Sequence, residues 1–258
     1  MNRSTKFDAH LQRTRKPESR LEKFRRRSSR LASRLIGHKD VSPKKRILAR
    51  LAKESDVHFI QIGSFDGETG DPLRRLIKKH RWKGVLVEPM RASFERLETL
   101  YAGCDHVVLE NSAVGDRDGE VDFWYLDPAG AAVLPPWYKQ ISSFSKEHVL
   151  KHADYCPEIE EYVTSCRVNS ITWGTLLEKH DLGRINLLHI DAEGFDYEII
   201  KQVDLGPNRP AVILYEDVHL SDEDRAACQG LLEDAGYLCS DDGFDCIAVD
   251  SSQAHLNA

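Results

Sequence analysis

From residue 57 onward the chain alternates short apolar runs with stretches whose apolar residues recur at helical spacing. VHFIQIG (57–63) is nearly continuous apolar, the mark of a strand buried on both faces. Asp71 and Pro72 then open a helix over LRRLIKKH, because an acid and a proline suit a first turn and apolar residues follow at a period of 3.6. The cycle repeats with GVLVEP (84–89) as a strand, ASFERLETLY as a helix and HVVLENSAV (106–114) as a third strand. After an interruption, INLLHID (185–191) precedes a helix over FDYEIIKQV, and AVILYED (211–217) precedes one over DEDRAACQGLLEDAG. Such alternation implies a doubly wound α/β domain, a mostly parallel sheet with helices on both faces. YLCSDD and FDCIAVD close the chain as a terminal antiparallel hairpin at one edge.

The stretch between Val114 and Ile185 does not fit this cycle. GEVDFWYL alternates well enough for a strand with a neighbour, and SITWGTLLEKH supplies a helix. Residues 127–166, rich in aromatic and turn residues, read as an inserted cap, and insertions without a regular pattern are usually lids or binding loops.

Ahead of the domain, ESRLEKFRRRSSRLASRLIG (18–37) places Leu21, Phe24, Leu31, Leu35 and Ile36 near one helical face and arginines on the other. Two readings of residues 1–53 stand. One is a partly disordered extension whose last turn packs on the domain; the other is an amphipathic helix resting on an anionic membrane surface or an acidic partner. Charge sharpens the division. The net charge is −6, yet the first 53 residues hold half of the 36 Lys and Arg and only four of the 42 Asp and Glu. The acidic remainder, residues 54–258, disfavours nucleic acid as a partner, since phosphate contacts need a basic surface.

No apolar run approaches the roughly 18 residues of a membrane span, and the Arg-rich start lacks the apolar core of a secretory signal. The expectation is a cytoplasmic protein, peripheral to a membrane if the arm binds one. The six cysteines form no CxxC pair, so they read as reduced, mostly buried thiols.

The chemistry gathers where strands end. The first strand runs into GSFDG (63–67), and ligands of doubly wound sheets bind beyond the carboxyl ends of strands. Gly63 permits a sharp turn and a close approach, Ser64 lies in the same loop, and Gly67 leaves room before the next helix. A nicotinamide dinucleotide would need GxGxxG there, and that spacing is absent, which disfavours a dehydrogenase. Instead Asp66 and Glu68 put negative charge where a pyrophosphate would sit, which suits a cationic ligand. Glu88 ends the second strand, 25 residues beyond Gly63, where an acid accepts both hydroxyls of a ribose. S-adenosylmethionine, a nucleoside with a cationic tail, meets both requirements.

IQIGSFDGETGDP, VLVEPMRASFERL, ENSAVGDRDGEVDF, LLHIDAEGFDYEIIKQVD and ILYEDVHLS together resemble the FkbM-type methyltransferases, over roughly residues 56–250. The most specific block is IDAEGFDYEII, where Asp191, Glu193 and Gly194 match the family's Asp-x-Glu-Gly pattern; Ser142 and Ser143 before Phe144 also look like a family feature. The resemblance implies a class I, Rossmann-like methyltransferase fold and methyl transfer from S-adenosylmethionine, commonly to a hydroxyl of a sugar, polyketide or other small molecule. It implies that Gly63, Asp66, Gly67, Glu88 and the run Asn111, Ser112 and Ala113 line the cofactor. The chain departs from the family at Gln61, where many members have an acid, and at Trp173 and Gly174, where they have Asp-Asp.

Methyl transfer to an alcohol needs alignment and a base. Asp191, at the end of the fourth strand, is placed to take the hydroxyl proton. Glu193 either shares that work or holds its turn by bonding backbone amides. His219, beside Glu216 and Asp217, is either a second proton acceptor or structural. A further option is a divalent cation on Asp191, Asp217 and His219 that orients the acceptor oxygen. In the cap, Trp137, Tyr138 and Tyr155 either stack on a sugar or aromatic acceptor or form the cap's own core. The competing function is a non-catalytic binding module of the same fold that docks through its basic arm. The acids at three strand ends favour the enzyme.

Overall fold

Apolar runs buried on both faces become the central strands of a seven-stranded sheet in the computed structural model, which describes residues 41–127, 129–130, 134, 136–154 and 157–257. The basic arm as far as residue 40 lies outside the described residues, and with it the expected amphipathic helix and its partners. The strands are β1 (His58–Ile62), β2 (Lys83–Val87), β3 (Val107–Glu110), β8 (Leu187–Ile190), β9 (Val212–Glu216), β10 (Tyr237–Asp241) and β11 (Asp245–Asp250). They lie in the order β10-β11-β9-β8-β1-β2-β3. β3, β2, β1, β8 and β9 are mutually parallel, whereas β11 is antiparallel to both β9 and β10. The doubly wound, mostly parallel sheet and the closing antiparallel hairpin are therefore as expected. The hairpin folds back so that its second strand, not its first, joins the parallel set.

Alternation along each strand divides the apolar side chains between two layers. Ile60, Val85, Leu188, Ile213 and Tyr215 face one core with Trp173, Leu176, Ile199 and Leu232. Phe59, Leu86, Leu187, Leu214 and Ile247 face the other with Leu73, Ile77, Trp82 and Leu97. The second core also receives Ile47, Leu48 and Leu51 from helix α1 (Pro43–Leu51). Residues 43–53, assigned to the arm on sequence, thus pack with the domain. The crossover helices are α2 (Arg74–His80), α3 (Arg91–Leu100), α6 (Asp196–Ile200) and α7 (Asp222–Asp234). Helix α7 starts on a Ser221 hydroxyl that accepts from the Asp224 amide at 3.0 Å, with three acids in its first turn to oppose the helix dipole.

The irregular stretch builds a second sheet, ordered β4-β7-β5-β6, from β4 (Ala113–Val114), β5 (Gly119–Leu126), β6 (Ser142–Ser143) and β7 (Val163–Ile171). β5 and β7 pair antiparallel along their full length, from Gly119 opposite Ser170 to Leu126 opposite Val163. Two expectations change here. The third strand is not continuous to Val114: it breaks at Asn111 and Ser112, and its last two residues join the second sheet. The cap ends before residue 166, because Val163–Cys166 is already strand β7. Helix α5 (Trp173–His180) follows, capped by the Thr172 hydroxyl accepting from the Thr175 amide. Between β5 and β7 the cap carries helix α4 (Lys146–Leu150) and a small core of Leu126, Leu134, Tyr138, Ile141, Val149 and Ile159.

Candidate active site

The chain runs from β1 outward to β3, then returns to the other side of β1 at β8, so the strand order reverses between β1 and β8. A crevice opens beyond the carboxyl ends at such a reversal. The two strand ends touch. Gly63 leaves β1 with φ +78°, and a Cβ there would lie 1.8 Å from the Asp191 carbonyl oxygen. Glycine is demanded by the neighbouring backbone. The rest of the loop is shaped from within: Ser64 Oγ donates to the Gln61 carbonyl at 3.1 Å, and a Cβ on Gly67 would meet Leu97 at 2.6 Å. Asp66 accepts from the amides of Glu68 (2.9 Å) and Thr69 (2.7 Å) and from the Thr69 hydroxyl (2.8 Å). Ser64, Asp66 and Gly67 therefore fold the loop, while Gly63 and Phe65 line the cleft.

The cleft is lined by Glu88, Ser112, Ala113, Ser142, Asp191 and Glu193 among apolar neighbours that include Met90, Phe123 and Phe144. Glu88 is fixed at the end of β2, its Oε2 accepting from the Phe65 amide at 2.8 Å and its Oε1 from the Met90 amide at 2.9 Å. Burial pushes its carboxyl up to about 7 against the pull of those two amides. Asn111 stands behind the wall: its Nδ2 donates to the carbonyls of Glu88 (2.8 Å) and Pro89 (3.1 Å), tying the ends of β2 and β3. Ser112 donates to Glu110 at 2.6 Å and accepts from Asn169 Nδ2 at 2.8 Å. Glu110, itself buried, in turn meets Lys179 at 2.7 Å and His180 at 2.9 Å, a network that the sequence does not announce.

On the far side of β1, Asp191 ends β8, its amide donating to the Ile62 carbonyl at 3.0 Å. Burial raises its carboxyl to about 6. The next residues make a tight turn in which Glu193 (φ +49°) and Gly194 (φ +89°) are both left-handed. A non-glycine residue held there is strained, a condition that recurs at functional sites. The cap closes on this turn: Ser143 Oγ donates to the Glu193 carbonyl at 3.4 Å, and Gly194 packs on the His148 imidazole so closely that a Cβ would approach it to 2.8 Å. Glu193 Oε2 lies 3.5 Å from His219 Nε2 and 3.7 Å from His148 Nε2. Burial also drives the Glu193 carboxyl well up.

Of the catalytic candidates, Asp191 and Glu193 line the cleft, and His219 lies beside Glu193, its Nε2 3.5 Å from Oε2. Among the described residues the expected cation set of Asp191, Asp217 and His219 is not grouped: Asp217 Oδ2 lies 3.4 Å from Arg225 Nε, and His219 is grouped instead with Glu193 and His148. His148 carries no local signal in KEHVL and was missed. Tyr138 is 1% exposed and packs in the cap's small core. Trp137 falls in a 3-10 turn, Pro136–Gln140, of which Lys139 and Gln140 line the cleft, and its side chain lies outside what the structure describes. Tyr155 lies outside the described residues.

Residues 61–239 match the family described as the methyltransferase FkbM domain. Among solved structures, an FkbM methyltransferase from Methylobacillus flagellatus KT aligns at 11% identity and TM-score 0.46, covering 75% of this chain and 43% of its own. This chain thus spans less than half the length of that protein. A ribosomal protein L11 methylase from Lactobacillus delbrueckii subsp. bulgaricus aligns at 10% identity and TM-score 0.40, covering 80% of this chain and 74% of its own. A precorrin-6y C5,15-methyltransferase from Geobacter metallireducens GS-15 aligns at 12% identity and TM-score 0.38, covering 80% and 85%. No curated protein matches the chain significantly.

Proposed function

The chain belongs to the FkbM methyltransferase family, and from that premise we propose that it methylates a hydroxyl of a small molecule or sugar with S-adenosylmethionine as donor. One arrangement carries the reading. β2 and β8 flank β1 on either side, so Glu88 and Asp191 stand on the two sides of Gly63 at the mouth of a single cleft. The cleft's residues suit the donor, since Glu88 is held rigid to accept ribose hydroxyls.

S-adenosylmethionine supplies a methyl group already activated on a sulfonium. The protein's share is to align the acceptor and exclude water, which the cap and the apolar lining of Met90, Phe123 and Phe144 do. An alcohol must also lose its proton. Asp191 carries a carboxylate whose proton affinity burial raises toward neutrality, so one of its oxygens takes up that proton more readily than an exposed aspartate would. Ser142, on the cap side of the cleft, is placed to hydrogen-bond the acceptor.

Calorimetric titration of S-adenosylmethionine into the full chain, with NAD as control, tests the reading. Binding of the former alone is expected, and Glu88→Ala should weaken it at least about tenfold, the cost of one charge-assisted hydrogen bond. In Asp191→Asn, binding should persist while turnover of hydroxylated acceptors collapses. No binding to the intact chain would overturn the proposal.

A further inference from the structure

We infer that His148, Glu193 and His219 form a binding site for a divalent first-row transition metal ion that clips the cap to the ends of β8 and β9. Three separate parts of the chain deliver the ligands: His148 from α4 of the cap, Glu193 from the left-handed turn after β8, and His219 from the loop after β9. Their ligand atoms all lie within 4.8 Å of one another. The Glu193 oxygen is 3.5 Å and 3.7 Å from the two Nε2 atoms, too long for hydrogen bonds but close to the spacing of about 3.4 Å between ligand atoms around a tetrahedral zinc ion.

A second observation points the same way. Glu193 Oε2 is buried and accepts no hydrogen bond among the described residues, and the same holds for Glu216 Oε2, which lies 3.6 Å from His219 Nε2. A carboxylate oxygen shut away from water without a donor is costly, and a cation at this point would satisfy it. The turn itself is built for the meeting. Gly194 has to be glycine for the His148 ring to come against the backbone, and the two imidazoles stand edge to face at 5.1 Å.

The donor set selects the ion. Two imidazoles with a carboxylate suit zinc, manganese, iron or cobalt, whereas magnesium and calcium prefer oxygen alone. Three protein ligands leave a coordination position open, the pattern of catalytic rather than structural sites. Glu193 also lines the cleft, so the ion would stand at the wall where the acceptor oxygen is expected; that consequence rests on the methyl-transfer reading, while metal binding itself does not.

The test is titration of cobalt(II) into the untagged, chelator-stripped full chain, followed by visible absorption, with zinc as competitor. One equivalent should bind with the intense bands of low coordination, and zinc should displace it. His148→Ala and His219→Ala should each weaken binding at least about a hundredfold, and the double variant should abolish it, while circular dichroism confirms that the chains remain folded. His255→Ala, whose imidazole meets Glu54 far from the cluster, should bind as the parent does. Lack of saturable binding by the parent, or a site that survives in the double variant, would overturn the inference. S-adenosylmethionine calorimetry on the same metal-free protein separates its failure from that of the methyl-transfer reading.

Discussion

Asp196 shows how much a single buried carboxyl fixes. It is wholly buried, one oxygen accepting from the Glu216 amide at 3.2 Å and the other without a hydrogen-bond donor, and burial with the nearby Asp191 raises it to about 8. Glu88 is raised by burial in the same sense, to about 7. A raised carboxyl binds its proton more tightly folded than unfolded, so its contribution to stability is complete below the unfolded value near 4 and is lost as pH rises through about 7 to 8. These two carboxyls should therefore lower the melting temperature progressively between about pH 4 and 8. Asp196→Asn, a neutral isostere of the protonated acid, should match the parent within about 1 kcal/mol near pH 4 and melt higher at pH 9. A variant whose melting temperature falls as steeply as the parent's would refute the assignment. At this scale the sequence was informative about position and silent about state. Glu88 and Asp191 were legible as acids at strand ends, but their raised proton affinity follows from burial by residues far along the chain.

The elements most easily read were those whose environment is uniform. β1, β2, β8 and β9 are buried on both faces, so each appears as an unbroken apolar run, and the helices between them repeat at 3.6. β7 was missed because it is half exposed and carries Thr164, Ser165, Arg167 and Asn169; it is a strand through its long pairing with β5. The break after β3 escaped notice for a related reason, since an apolar run does not say which of two sheets its residues join. The loop after β1 was legible as glycine-rich, but the partner that requires Gly63 was not. Gly63→Ala should cost at least about 3 kcal/mol in urea unfolding, combining a left-handed φ with a Cβ inside the contact distance of Asp191. Gly70→Ala, at φ +76° with nothing within 4 Å, should cost only the backbone strain of about 1 kcal/mol. Equal losses would show that the close contact between the ends of β1 and β8 contributes nothing.

At the scale of the molecule, the domain begins at Pro43. Ile47, Leu48 and Leu51 of α1 are buried against the same core as Trp82, Lys44 pairs with Asp245, and Arg50 donates to the Leu256 carbonyl at 2.9 Å. Each apolar side chain buried is worth about 1.5–3 kcal/mol, so a chain starting at residue 54 should be several kcal/mol less stable to urea than one starting at residue 43. Equal midpoints would mean that α1 is an appendage. Among the described residues no helix is long and apolar enough to cross a membrane, and the basic arm remains the segment through which we propose an anionic surface or acidic partner is met. The sequence by itself determined the succession of strands and helices, the doubly wound class and the acids at strand ends, because periodicity and apolar runs record each residue's relation to solvent. Only the tertiary structure decided which strand ends lie side by side, which side of the cleft each acid occupies, and that His148 of the cap meets Glu193 and His219. Those are meetings between distant segments, set by sheet order and loop closure, and no local pattern records which partner a side chain will face.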